Sequence, residues 1–147
     1  MNRRILILGI DGMIGHKIAQ VLEINNEVIG TSRKTISPTD LGINKATILN
    51  KDFIVDESLD FMSDIMPDVI INCVGITIRR INETNNNHLS FINSTLPKLI
   101  NDWSIENSKK MIHMSTDCVF SEKMVIILMM INQMLLIAMA PLNLEVK

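Results

Sequence analysis

The sequence predicts an α/β fold: a doubly wound parallel sheet of about five strands in the order 3-2-1-4-5. Three features carry this reading: short β-branched and leucine runs without polar alternation, stretches of helical apolar spacing between them, and glycine or proline at the junctions. A strand that is apolar on both faces has to be covered on both, and parallel strands joined by crossover helices achieve that. Right-handed crossovers, with a reversal between the first and fourth strands, then set the order.

Taken along the chain, Ile5 to Leu8 is a continuous apolar run closed by Gly9, the first strand. Met13 to Leu22 follows as a helix, with Met13, Ile14, Ile18, Val21 and Leu22 near one apolar face and Lys17 and Gln20 off it. Glu27 to Thr31 reads as the second strand and Ala46 to Leu49 as a weaker third. The polar stretch Ser32 to Asn44, with Ser37-Pro38 and Leu41-Gly42, reads as loop. Glu57 to Met66 suggests a helix that stops before Pro67, because the residue ahead of a proline is driven out of the helical region. Val69 to Val74 is the fourth strand, and Asn85-Asn86-Asn87 a loop or helix entry. His88 to Ile105 is a helix in which Pro97 marks a kink or a boundary, and Lys110 to Met114 is the fifth strand. No fixed-period repeat and no Gly/Ser- or Pro-rich linker divides the series, so residues 1–123 read as one domain.

The chain has 147 residues, a net charge of −2 and 47% hydrophobic residues, enough to bury a core. That balance supplies no basic field for a polyanion, so no nucleic acid is expected as a partner. With 20% charged residues it is also too apolar for intrinsic disorder. Cys73 and Cys118 are far apart, and His16, His88 and His113 are scattered, which suggests neither a disulfide framework nor a metal site. Reduced thiols in a cytoplasmic protein are the expectation. Arg3-Arg4 precedes only a short apolar run, less than the roughly 7–15 residues of an export signal.

The residues that carry chemistry begin at Gly9-Ile10-Asp11-Gly12-Met13-Ile14-Gly15, a G-x-x-G-x-x-G placed after a strand and before a helix. Glycines there permit a tight turn, close approach of backbone N–H groups to a diphosphate, and close helix–strand packing, while the helix N-terminus favours negative charge. A turn that needs glycine only for its geometry is the plainer alternative. After the second strand comes Thr31-Ser32-Arg33-Lys34, where a dinucleotide fold reads the ribose. Ser32 and Arg33 are candidate cofactor contacts, and an arginine accommodates a 2′-phosphate, which favours NADP over NAD. A solvated basic turn is the alternative.

Four segments together resemble a known family: Gly9 to Gly15; Pro67 to Gly75; Ile92-Asn93-Ser94; and His113-Met114-Ser115-Thr116-Asp117-Cys118-Val119-Phe120-Ser121. They resemble extended short-chain dehydrogenases, in particular the dTDP-4-dehydrorhamnose reductase branch, over roughly residues 1–123. The resemblance implies a Rossmann-type domain and reduction of the 4-keto group of a nucleotide-linked deoxysugar by NADPH, with NADH as the other option. It implies that Gly12, Met13, Ile14 and Gly15 wrap the diphosphate and that Asp52 and Phe53 flank the adenine. Gly75, Ile76 and Thr77 would line the cofactor, with Asn93 in support. Thr116 would be catalytic and bond the keto oxygen, and Asp117 would touch the sugar nucleotide. Cys118 stands where the family often has tyrosine and reads as a small buried side chain; His113 reads as a residue of the core or helix layer. The family's Y-x-x-x-K pair, which supplies the proton, has no counterpart here, because the chain contains no tyrosine.

Residues 124–147 differ from everything before them: Met124 to Leu144 holds five methionines and no charge. Reading each codon's last base with the first two of the next forces Gly at Met124–Val125, Asp at Met129–Met130 and Met130–Ile131, and Gly at Met139–Ala140. The same shift permits Tyr across Ala138–Met139 and Lys across Leu142–Asn143. A single-base deletion near Glu122 is therefore expected, making 124–147 an aberrant tail and leaving out the substrate domain, with little or no turnover. Alternatives are a membrane anchor over 124–142, close to the length of an apolar span, or a segment packed on a sheet edge.

Overall fold

The computed structural model describes residues 2–76 and 86–115. Its five strands are β1 (Arg4–Leu8), β2 (Glu27–Ser32), β3 (Thr47–Asn50), β4 (Val69–Asn72) and β5 (Lys110–His113). All neighbours pair in parallel in the order β3-β2-β1-β4-β5, as the sequence predicts. β1 is central, and its side chains alternate between two cores. Ile5 and Ile7 join Val28 and Ile71 on one face, while Leu6 and Leu8 join Ile70, Phe53 and Met62 on the other. Each fully buried Leu or Ile contributes roughly 1.5–3 kcal/mol, which is why the strand is apolar from Ile5 to Leu8 and carries its one charge, Arg4, at the less buried end.

The first face is covered by α1 (Gly15–Leu22) and by a 3₁₀ turn, Pro38–Leu41, inside the stretch expected to be loop. Helix α1 departs from expectation in its onset and its face. Its buried residues are Gly15 and Ala19, one turn apart; Met13 is 83% exposed and Val21 67%. Two small residues let the helix axis approach the sheet closely, and of the five expected face residues Ile18 and Leu22 pack against the core as half-buried side chains while Met13, Ile14 and Val21 are turned outward.

The opposite face is covered by α2 (Asp60–Ile65) and α4 (Leu96–Glu106), the latter preceded by the short α3 (Asn86–Ser90), none of whose residues is buried. Between α3 and α4 lies a π-helical turn, Phe91–Thr95, in which the Leu96 N–H donates to the Phe91 carbonyl. Pro97 accounts for the interruption, since it has no N–H to offer the Asn93 carbonyl four residues back and its ring crowds that carbonyl. The expected boundary at Pro97 is thus a widened turn within a helical run. Among the described residues no helix is long and apolar enough to cross a membrane; the stretch 124–142 lies outside them.

Candidate functional site

The site is built on one rung of the sheet. Pairing aligns Leu49, Thr31, Leu8, Asn72 and His113 across all five strands at their C-terminal ends. Thr31 and Asn72 are fully buried polar residues on that rung, and each fixes a loop leaving the sheet. This is where the chain reverses direction across the sheet, between β1 and β4, the place where open parallel sheets bind ligands.

On the β1 side, the Gly9 N–H donates to Thr31 Oγ1 (3.2 Å) and the Ile10 N–H to the Thr31 carbonyl (2.9 Å). The turn closes with the Gly12 N–H donating to the Gly9 carbonyl at 3.1 Å. Gly9 has φ +76°, a conformation other residues adopt only with strain, and a Cβ on Gly15 would lie 2.2 Å from the Gly9 carbonyl oxygen. The helix can therefore begin this close to the turn only with hydrogen at Gly15. Among the described residues no group accepts from the amides of Met13, Ile14 and Gly15, and no acidic side chain occupies the first turn of α1. Three free amides at a helix N-terminus fit a diphosphate.

His16 was not singled out by the sequence. Its Nδ1 lies 2.8 Å from the Gly12 carbonyl, which also accepts the His16 N–H, so the imidazole closes the turn from the helix side. The only sequence signal is its position four residues after Gly12. At the end of β2, Ser32 is buried, its Oγ accepts from the Lys34 N–H at 3.0 Å, and Arg33 and Lys34 are exposed. Because Thr31 anchors the glycine turn, the basic pair follows it within two and three residues.

On the β4 side, Asn72 Oδ1 accepts from the Val74 N–H (3.0 Å), which fixes the amide orientation so that Nδ2 points to His113 Nδ1 (3.2 Å). Burial holds His113 below the ordinary imidazole value and pushes the Cys73 thiol up to about 11, so both are neutral at physiological pH. Asn93 reaches across from the π turn: its Oδ1 accepts the Ile76 N–H (2.8 Å) and its Nδ2 donates to the Ile76 carbonyl (2.9 Å). Gly75 is exposed, and a Cβ there would meet nothing nearer than Asn93 Oδ1 at 3.8 Å.

Asp52 and Phe53 follow β3. The Asp52 carboxylate accepts from the Ile54 N–H at 2.9 Å, whereas Phe53 is 3% exposed, its ring packed in the core near Phe61. Any contact Phe53 makes with a ligand is thus through its backbone. The structure brings Gly9, Gly12, Met13, Ile14, Gly15, Ser32 and Arg33 to one end of the sheet, with Gly75, Ile76 and Asn93 beside β4. Thr77, Thr116, Asp117 and Cys118 lie outside the described residues.

The profile of the NAD dependent epimerase/dehydratase family matches residues 5–130. The chain belongs to that family. No curated protein matches it. Among solved structures, a hypothetical dTDP-4-dehydrorhamnose reductase from Sulfolobus tokodaii is similar at 27% identity and TM-score 0.66, over 80% of this chain and 40% of that one. ADP-L-glycero-D-manno-heptose-6-epimerase from Helicobacter pylori matches at 17% identity and TM-score 0.67, over 80% and 40%. WbmH from Bordetella bronchiseptica, solved in complex with NAD+, matches at 19% and TM-score 0.57, over 74% and 36%. The chain thus spans about two fifths of the length of these epimerase/dehydratase-like structures, and the fold of its relatives is the Rossmann-like sheet described above.

Proposed function

We propose that this chain is the dinucleotide-binding part of a nucleotide-sugar reductase of the dTDP-4-dehydrorhamnose type, and that it binds NADPH in preference to NADH. The observation that carries this reading is the trio of free amides at Met13, Ile14 and Gly15, presented at the mouth of α1 beside the basic end of β2. Support for the reductase branch comes from the Ser115-Thr116-Asp117 segment and from the 27% identical relative. The amides would hold the diphosphate, Ser32 and Arg33 the ribose with its 2′-phosphate, Asp52 and the Phe53 backbone the adenine, and Gly75, Ile76 and Thr77 the nicotinamide end. Asn93 keeps the Ile76 loop in place. Thr116 would bond the keto oxygen of the sugar, and Asp117 the rest of the substrate. The bound dinucleotide supplies the hydride.

A second reading rests on a specific observation: the 147 residues contain no tyrosine to donate the family's proton. On that reading the chain holds the dinucleotide without completing the reaction, and 124–147 is a frameshifted tail. Calorimetric titration combined with a turnover assay separates the two. NADPH binding without oxidation in the presence of a sugar nucleotide is the result the second reading expects, and clear oxidation would overturn that reading while leaving the reductase one. An Arg33→Ala chain is expected to lose about tenfold in NADPH affinity while NADH affinity changes little. Equal losses for both would remove the case for the 2′-phosphate.

A further inference from the structure

Lys51 directly follows β3 and has no role in the site as described so far. Its N–H donates to the Ser32 carbonyl at 2.8 Å, which ties the start of the next turn to the end of β2. Its ammonium lies 5.9 Å from the centroid of the Phe53 ring and 5.3 Å from that of Phe61, and it is ion-paired with Asp56. Only 11% of the side chain is exposed, against 59% for Asp56, so the Lys51 stem is packed down and its ammonium is directed by these partners. Asp56 is itself held, since its Oδ1 accepts the Ser58 N–H at 3.1 Å.

Asp52 sits between the two anchors. Its Oδ1 takes the Ile54 N–H, and its carbonyl takes the N–H groups of Val55 (3.2 Å) and Asp56 (2.9 Å), while Oδ2 has no donor among the described residues. One carboxylate oxygen shapes the turn and the other is left over. Beside a dinucleotide, an unpaired carboxylate oxygen suits a base bearing an exocyclic amino group, and it discriminates only if its position is fixed.

We propose that Lys51 is a positioning residue for the base of the dinucleotide: by pinning the 51–56 turn to β2 at one end and to Phe53, Phe61 and Asp56 at the other, it holds the Asp52 carboxylate where adenine is read. This rests on the dinucleotide reading above. The test titrates the full chain with NADPH and with its hypoxanthine counterpart, which carries an oxygen in place of the amino group. The wild-type chain prefers adenine by about tenfold, the value of one hydrogen bond to a charged group. Lys51→Met brings that ratio close to one, and Lys51→Arg restores it, whatever either change does to the melting temperature. If Lys51→Met does not fold, Asp56→Asn removes the exposed partner and lowers the ratio by about threefold. A Lys51→Met or Asp56→Asn chain that keeps the full preference overturns the proposal. So does a wild-type chain that binds both dinucleotides equally, an outcome that leaves the dinucleotide reading standing. A folded wild-type chain that binds neither removes both.

Discussion

The chain leaves the middle of the sheet twice, and the two exits are held by different means. After β1 the path is fixed by the backbone: Gly9 at positive φ, Gly12 bonded back to it, and Gly15 pressed against its carbonyl where no side chain fits. After β4 it is fixed by side-chain amides, with Asn72 orienting Val74 and Asn93 taking both polar groups of Ile76. A backbone turn has no slack, because a carbonyl cannot swing aside. A side-chain clamp can relax when one partner is removed, so the first exit should fail abruptly and the second by degrees.

The sharpest way to break this contrast is Gly15→Ala. The added carbon would meet a backbone oxygen at 2.2 Å, so the turn or the helix must move, at a cost of about 3 kcal/mol. Dinucleotide binding should be lost, as read by denaturant melts together with calorimetry; wild-type affinity in the variant would mean the turn is not the anion site. Asn93→Ala is milder. It frees the N–H and carbonyl of Ile76 in a half-buried loop that water can reach, for about 1 kcal/mol and a loss of affinity below tenfold. A larger effect than that of Gly15→Ala would reverse the comparison.

The third effect lies away from both exits. Glu23, a buried carboxylate just after α1, accepts the N–H groups of Lys45 and Asn44 and the Asn44 side-chain amide, and these bonds, that of Lys45 foremost, hold it below the ordinary carboxylate value. A depressed folded-state value means the stabilisation is complete above the ordinary value and is lost as pH falls through the lowered one. Thermal melts over acid pH should show that loss, and Glu23→Gln should flatten it.

Much of the sheet was legible because a buried parallel strand leaves an unbroken apolar run. Ile5 to Leu8 and Val69 to Asn72 announce themselves, and the strand order follows from handedness. The glycine turn was legible for a related reason, since only glycine satisfies its geometry. The packed face of α1 was legible only in part. Spacing rules weigh large apolar residues, and Ile18 and Leu22 do pack on the core, but the closest approach is made through Gly15 and Ala19 while Met13 and Val21 are exposed. The role of Asn93 was reached only through a family resemblance, since its contact with Ile76 joins residues far apart in sequence. His16 and Lys51 escaped for the same reason: an imidazole on a carbonyl and an ammonium over two rings leave no periodic trace.

The amides that face outward at the start of α1 belong to residues whose side chains do nothing there, Met13 standing 83% exposed and Ile14 45%. A surface made of backbone amides is indifferent to what grows from it. If these amides hold the diphosphate as proposed, positions 13 and 14 can drift through substitution while the grip on it persists, as long as the glycines on either side of them stay bare.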